Sequence, residues 1–299
     1  MRVLVKPLAF DSMGVRSMAT YVETRDARIV IDPGVALAPR RFGLPPHDLE
    51  RRRLMELARV VEEHARIADV IIVTHYHYDH HDLGKRISLE IYDGKLVFMK
   101  NPEENINRSQ AEVRAPRFLR AIRGRPRRLE YADGNSLKIG NTEILFSEAV
   151  PHGSDPRLGY VVQVAVREGD EVFLYTSDVE GPALREQLKF ALEVNPTMAY
   201  VDGPMTYMLG YRYSEESLRT AIENLVTLIE ETDLRTLVLD HHFARDLECW
   251  DHVDEVVGAA RGWGIRLVSA AEEAGESVRM LEAMRRELYG RASASRLEA

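Results

Sequence analysis

The sequence predicts a layered α/β protein, and three observations carry that expectation. Short runs of β-branched and aromatic residues recur along the chain, apolar residues return at helical spacing between several of them, and strands cluster before they alternate with helices. In order, strands are expected at Val3 to Val5, Met18 to Glu23, Arg28 to Ile31, Val70 to Thr74, Leu96 to Met99, Glu143 to Phe146, Tyr160 to Val166, Val172 to Thr176, Met198 to Val201, Thr236 to Leu239 and Ile265 to Val268. Helical patterns run over Leu49 to Ala68, Gly181 to Glu193, Ser214 to Glu230 and Asp246 to Gly262. In the third of these, Ser214 is a suitable N-cap, and Leu218, Ile222, Leu225 and Ile229 share one face. Ala270 to Leu288 reads as a C-terminal helix, and the last ten residues, rich in Arg, Ser and Ala, are expected to fray. No repeat, low-complexity tract or linker divides the chain, so residues 1–299 are expected to form one domain.

With 299 residues, 45% apolar content and one cysteine, the chain can bury a large core without disulfides. No stretch approaches the roughly 18 uninterrupted apolar residues of a membrane span, and Met1 to Pro7 lack the features of a signal peptide, so a cytoplasmic location without a membrane partner is expected. Cys249 lies in the polar context Glu248-Cys249-Trp250-Asp251, outside every ligand motif, which suits packing rather than catalysis. A net charge of -8 disfavours indiscriminate polyanion binding. Against that charge, seven arginines (114, 117, 120, 123, 125, 127 and 128) occur with no acidic residue among them. They could neutralise phosphates, but Val113, Phe118, Leu119 and Ile122 have helical spacing that favours a solvated face.

The chemistry concentrates at Thr74-His75-Tyr76-His77-Tyr78-Asp79-His80-His81, directly behind the apolar run Val70-Ile71-Ile72-Val73. If extended geometry persists past the strand, His75 and His77 project to the same side and can share one metal ion. Asp79 and His80, adjacent in a turn, could reach a second ion through donors that zinc, iron and manganese accept. Four of the chain's ten histidines stand here beside a carboxylate. Crowding these groups behind a buried strand without a cation would be costly.

The segment from His75 to His80 resembles the HxHxDH signature of the metallo-β-lactamase superfamily. Further strand ends in the chain follow that family's order. Ile144 to Phe146 leads to His152, Val172 to Tyr175 leads to Asp178, and Leu237 to Leu239 leads to Asp240-His241-His242; upstream, Ile29 to Gly34 resembles the first family motif. The resemblance implies an αββα four-layer sandwich with its site at one sheet edge. It assigns His75, His77 and His152 to one metal, Asp79, His80 and His241 to the other, and Asp178 to the bridge, with His242 as the alternate to His241. Asp32 is implied as a residue that steadies the metal loop from behind, and His81 is left without a ligand role. The similarity spans about Val3 to Val268. The segments around Asp11 to Thr20, Asp32 to Arg41 and Asp240 to Asp246 are similar to a largely archaeal branch of predicted metal-dependent hydrolases to which no substrate is assigned.

That resemblance implies two divalent ions, zinc first with iron or manganese as alternatives. A metal-bridging hydroxide would attack the substrate without a Ser or Cys nucleophile, with Asp79 and Asp178 as the catalytic carboxylates. The favoured substrate is a small phosphodiester or ester. Asp178 to His241 spans too little chain for an inserted nucleic-acid clamp, and only a helix is expected after Val268. Tyr78 either faces substrate or packs beside the loop. The stretch Asp202 to Tyr213, containing Tyr207, Tyr211 and Arg212, suits either a loop over the pocket or a hairpin packed on its own domain. An RNA- or DNA-processing nuclease and a metal-stabilised scaffold without turnover are the alternatives. The sequence leaves oligomeric state open.

Overall fold

A computed structural model describes residues 3–290. Two sheets lie face to face and helices cover their outer sides. The first sheet comprises β1 (Leu4–Phe10), β2 (Met18–Glu23), β3 (Arg28–Ile31), β4 (Val70–Val73), β5 (Leu96–Met99) and β6 (Arg128–Tyr131), ordered as they occur in the chain. In the second, β7 (Ser136–Ile139), β8 (Thr142–Phe146), β11 (Val164–Glu168), β12 (Glu171–Tyr175), β13 (Met198–Val201), β14 (Thr236–Leu239) and β15 (Arg266–Val268) follow the order β15-β14-β13-β12-β11-β8-β7. The two-residue strands β9 (Val150–Pro151) and β10 (Tyr160–Val161) pair separately. Each sheet is antiparallel at one end and parallel where crossovers join its strands, from β3 to β6 and from β12 to β15.

Side-chain alternation explains the layers. Phe173 and Tyr175 of β12, Tyr200 of β13 and Val238 of β14 join the core between the sheets, while Leu174, Ala199, Val201, Leu237 and Leu239 point the other way. That outer face is covered by α3 (Arg185–Val194), α4 (Glu215–Glu231) and α5 (Asp254–Trp263). On the opposite side of the molecule α1 (Asp48–Ile67) lays Leu54, Leu57, Ala58, Val61 and Ala65 on the first sheet, and α2 (Ala115–Ala121) contributes Phe118. Phe98 and Phe146 stack across the sheets at 5.1 Å. This is the αββα sandwich expected from the sequence.

Departures from the expected elements have local causes. β6 and β7 are edge strands whose half-exposed residues give weak apolar signals. The expected strand over Tyr160 to Val166 divides at Val162 and Gln163, where Val162 donates to the Thr74 carbonyl and the buried Gln163 side chain donates to that of Gln187. Asp246 accepts from Thr206 Oγ1 and the Glu248 amide, so α5 starts only at Asp254. Val113 is exposed rather than buried with Phe118 and Ile122. A single π turn over Gln110–Arg114 precedes α2 and rotates the expected helical face.

The C-terminal helix expected from Ala270 to Leu288 is broken. A short α6 (Ala270–Glu273) ends near Gly275 at φ 71°, an irregular stretch follows, and helix resumes over 285–290. Ion pairs hold the intervening chain down. Glu282 takes Arg16, and burial's upward push on its carboxyl is overcome by that guanidinium, leaving Glu282 at about 2. Arg285 is fully buried against Glu50, with nitrogen–oxygen distances of 2.9 and 2.6 Å, and also donates to the carbonyls of Leu44 and Ala38. The tail expected to fray lies, apart from Gly290, outside the described residues. No helix is long and apolar enough to cross a membrane among the described residues.

Arg285→Met should destabilise the protein by about 3–5 kcal/mol, because Glu50 is left charged and buried without its partner. Adding Glu50→Leu should recover much of that loss in denaturant melts. A single variant as stable as the wild type would refute the weight given to this pair.

Candidate metal centre

The centre forms where the parallel strands of both sheets end, the usual position for a ligand crevice in α/β sheets. β3 delivers Asp32, β4 delivers Thr74 and His75, β12 delivers Asp178, β13 delivers Asp202, and β14 delivers Asp240, His241 and His242. The chain reverses abruptly at several of these exits. Asp32, Ser177 and His241 have positive φ of 52°, 57° and 57°, a left-handed conformation that costs a residue with a Cβ and persists only where its surroundings enforce it. Here the reversal turns side chains inward. Gly34 allows the histidine loop to close, since a Cβ there would sit 2.2 Å from the His81 amide nitrogen and 2.8 Å from that of His80.

Asp178 occupies the middle, buried, and its two oxygens face different groups. Oδ2 lies 3.1 Å from His152 Nε2 and 3.5 Å from His75 Nε2. Oδ1 lies 3.1 Å from His80 Nε2 and 3.4 Å from His241 Nε2. His77 completes the first group, its ring 4.6 Å from that of His75 and 4.8 Å from that of His152. Asp79 completes the second, with Oδ2 3.8 Å from His241 Nε2. Candidate ligand atoms of His75, His77, His152 and Asp178 fall within 4.8 Å of one another, and so do those of Asp79, His80 and His241.

These residues suit metal binding on their own chemistry. Nε2 of His75, both ring nitrogens of His152, Nε2 of His80 and Oδ1 of Asp178 are buried without a hydrogen-bond partner among the described residues. Such atoms are expensive to leave unpaired. Burial, helped by neighbouring imidazoles, pushes His75 and His77 well below the ordinary histidine range, toward the neutral form that binds a metal. The other side of the centre demands positive charge. Burial lowers His80 and His241, yet Asp178 and Asp32 lift the first well above its usual range, and Asp178 and Asp11 help lift the second to about 9. Divalent ions would answer both conditions.

Supporting residues orient the candidate ligands. Asp32 accepts from the Thr74 amide at 2.7 Å, Thr74 Oγ1 at 2.6 Å, His80 Nδ1 at 2.8 Å and Tyr175 Oη at 2.8 Å. Asp11, to which no role was attached from sequence, pairs with His241 Nδ1 at 2.8 Å and receives Arg245 Nε at 2.9 Å. Asp202 pairs with His242 Nδ1 at 2.7 Å. Gln110 accepts from the Tyr76 amide at 2.9 Å and donates to the Leu158 carbonyl at 2.7 Å, clamping the histidine loop. Asp11 and Asp202 each stand at or just after a strand end, which was the available signal. Nothing local marks Gln110.

His242 does not join Asp79 and His80; its Nε2 lies 3.8 Å from Asp178 Oδ2 on the cavity side. His81 is buried against Phe118 at 4.8 Å and belongs to none of the ligand clusters. Before the centre opens a cavity of about 660 Å³. Tyr78, Tyr207 and Arg212 line it with His77, Asp79, His152 and Asp178, whereas Tyr211 is exposed and takes no part. The segment from Asp202 to Tyr213 is a loop with a 3-10 turn over Thr206–Met208, anchored by the Tyr213 hydroxyl on the Glu180 carbonyl. Glu180 also borders the cavity, 3.9 Å from His152 Nδ1, and burial pushes it up to about 7 against the pull of His152. Cys249 is buried in the outer core, where burial pushes its thiol up to about 12 and leaves it unreactive.

Fold and centre together define a metallo-β-lactamase superfamily protein. The Metallo-beta-lactamase superfamily profile matches residues 13–81, and the metallo-beta-lactamase fold protein YhfI from Bacillus subtilis superposes with a TM-score of 0.51 at 16% identity, covering 92% of this chain and 97% of that one. UPF0282 proteins of Metallosphaera sedula and Sulfolobus acidocaldarius are each 50% identical over 285 residues, spanning 95% of this chain and 92% of theirs. The chain belongs to the UPF0282 family.

Asp32→Ala and Asp11→Ala should each lower metal affinity by roughly 10- to 100-fold, the scale expected when a hydrogen-bond partner of a ligand is lost. Gly34→Ala should do so by forcing the His80–His81 backbone outward. Metal titrations indistinguishable from wild type in all three would contradict these placements.

Proposed function

We propose that this protein is a dinuclear metal-dependent hydrolase acting on a small phosphodiester or ester. The observation that supports it most is Asp178, whose two oxygens each face a separate pair of imidazole nitrogens, the Nε2 atoms of His75, His152 and His80 among them lacking a hydrogen-bond partner among the described residues. His75, His77 and His152 would hold one ion and Asp79, His80 and His241 the other, with Asp178 shared; zinc fits these nitrogen and oxygen donors, as do iron and manganese. Bound there, two divalent ions supply Lewis acidity and a water of lowered pKa. Asp11 and Asp32 keep the ligand imidazoles in one tautomer and orientation. Tyr207 and Met208 of the loop after β13, with Tyr78 of the histidine loop, line the cavity and would contact substrate. No Ser or Cys nucleophile is required, and Cys249 is too deeply buried to act as one.

The arginine-rich segment gives the nuclease reading little support. Arg114 lines the cavity, but Arg117, Arg120, Arg123, Arg127 and Arg128 are exposed and do not. Replacing Arg120, Arg123 and Arg127 by Gln should leave turnover of a small diester nearly unchanged. Each phosphate contact would otherwise add roughly 0.7–0.9 to a log-log salt slope. Tight, salt-sensitive oligonucleotide binding that the triple variant abolishes would promote the nuclease instead.

Elemental analysis after reconstitution should find about two ions per chain, as two triads sharing a bridge require. Screening the loaded protein against phosphodiesters, lactones, thioesters and RNA should then reveal hydrolysis that Asp178→Ala removes while circular dichroism is preserved. A chain that takes up no zinc, manganese or iron would sink the proposal.

A further inference from the structure

The cavity wall is rich in guanidinium groups although the chain as a whole carries a net charge of -8. Arg16, Arg114, Arg157, Arg212 and Arg245 all line it. Three of these are neutralised from behind. Arg16 grips Glu282 through two contacts of 2.6 Å, Arg157 pairs with Asp155, and Arg245 pairs with Asp11 at 2.9 Å. Arg114 and Arg212 differ. Among the described residues neither guanidinium has a carboxylate within ion-pair distance or a hydrogen-bond acceptor, and each is steadied by an aromatic face: Arg114 over Tyr78 at 5.3 Å, Arg212 over Tyr211 at 5.6 Å.

The carboxylates of the same wall do not compensate for them. Asp155 is taken by Arg157, Glu180 lies beside His152 and accepts from the Ser154 amide, and Asp79 and Asp178 belong to the candidate metal sites. Bound cations would make the cavity still more positive. Arg114 enters from the turn before α2 and Arg212 from the loop after β13, so two chain segments distant in sequence bring unpaired guanidinium groups to one cavity. A volume of about 660 Å³ suits a small molecule, for which such sites span roughly 300–1,000 Å³. Guanidinium forks match the paired oxygens of carboxylates and phosphates.

We propose that the substrate carries, besides the bond that is cut, a second anionic group, a phosphate or a carboxylate, anchored by Arg114 and Arg212. This rests on the hydrolase reading of the same cavity and narrows it to small molecules that carry an anionic group apart from the scissile bond. A neutral ester or lactone lacks the group that these arginines would hold.

Calorimetry on the metal-loaded protein tests this with ethylphosphonate, alkane-α,ω-diphosphonates of increasing methylene length, and the matching phosphonocarboxylates. At least one two-headed ligand should bind roughly tenfold or more tighter than ethylphosphonate, the scale of one charge-assisted anchor. Whether the diphosphonate or the phosphonocarboxylate gains more identifies the anion. Arg114→Gln with Arg212→Gln should erase that gain while ethylphosphonate affinity and metal content stay unchanged, and Arg→Lys at both positions should retain part of it. No gain at any length in the wild type, or a gain that survives the double Gln variant, would overturn the proposal. Protein that loads metal and hydrolyses esters without showing the gain defeats this inference alone. Protein that takes up no metal yet shows it defeats the hydrolase reading and leaves the anion anchor standing.

Discussion

The Asp32 carboxylate is the constraint on which the candidate centre depends. It stands at the end of β3 in a left-handed conformation and accepts hydrogen bonds from Thr74, His80 and Tyr175. Thr74 precedes the histidine motif and His80 ends it, and Tyr175 ends β12 in the other sheet. One buried anion thus sets the strand exit, the orientation of a candidate ligand imidazole and the spacing of the two sheets. A carboxylate buried at this depth is tolerable because its acceptor capacity is filled by several donors.

Around that anchor the centre has a consistent electrostatic logic. Apolar strands end together, so the groups that follow them are held close in a region with little water, where interactions between charges are strong. Asp178 sits between imidazoles that approach each of its oxygens separately. On one side burial favours neutral imidazoles; on the other Asp11, Asp32 and Asp178 favour positive charge. Asp11 links the second group to Arg245, so the cavity wall and the centre share one buried carboxylate.

Much of this was legible in the chain. The runs Ile29–Ile31, Val70–Val73 and Leu237–Leu239 are apolar throughout because parallel strands are buried on both faces, and the polar residues behind them mark a sheet edge. Spacing behind a buried strand singles out His75, His77, Asp79 and His80 as candidate ligands, and the family resemblance supplies the assignment of all seven, adding His152, Asp178 and His241. Edge strands β6 and β7 were missed because half-exposed residues carry little pattern. The C-terminal helix was drawn too long, because ion pairs to Arg16 and Glu50 hold that segment in an irregular path.

What the sequence determined by itself was the layered class, the order of the strand ends and the residue types gathered there, since each depends on neighbours a few positions apart. Tertiary structure decided which of those residues meet. Asp11 reaches His241 across 230 positions and Gln110 reaches Tyr76 across 34. His241 falls with Asp79 and His80, and His242 with Asp178 and His241, a division that follows a left-handed residue that no periodicity encodes. The cavity's unpaired arginines came to light only once the partners of the others were in place. Pairings of this kind are set by the docking of two sheets, a long-range packing event, and local spacing carries no record of it.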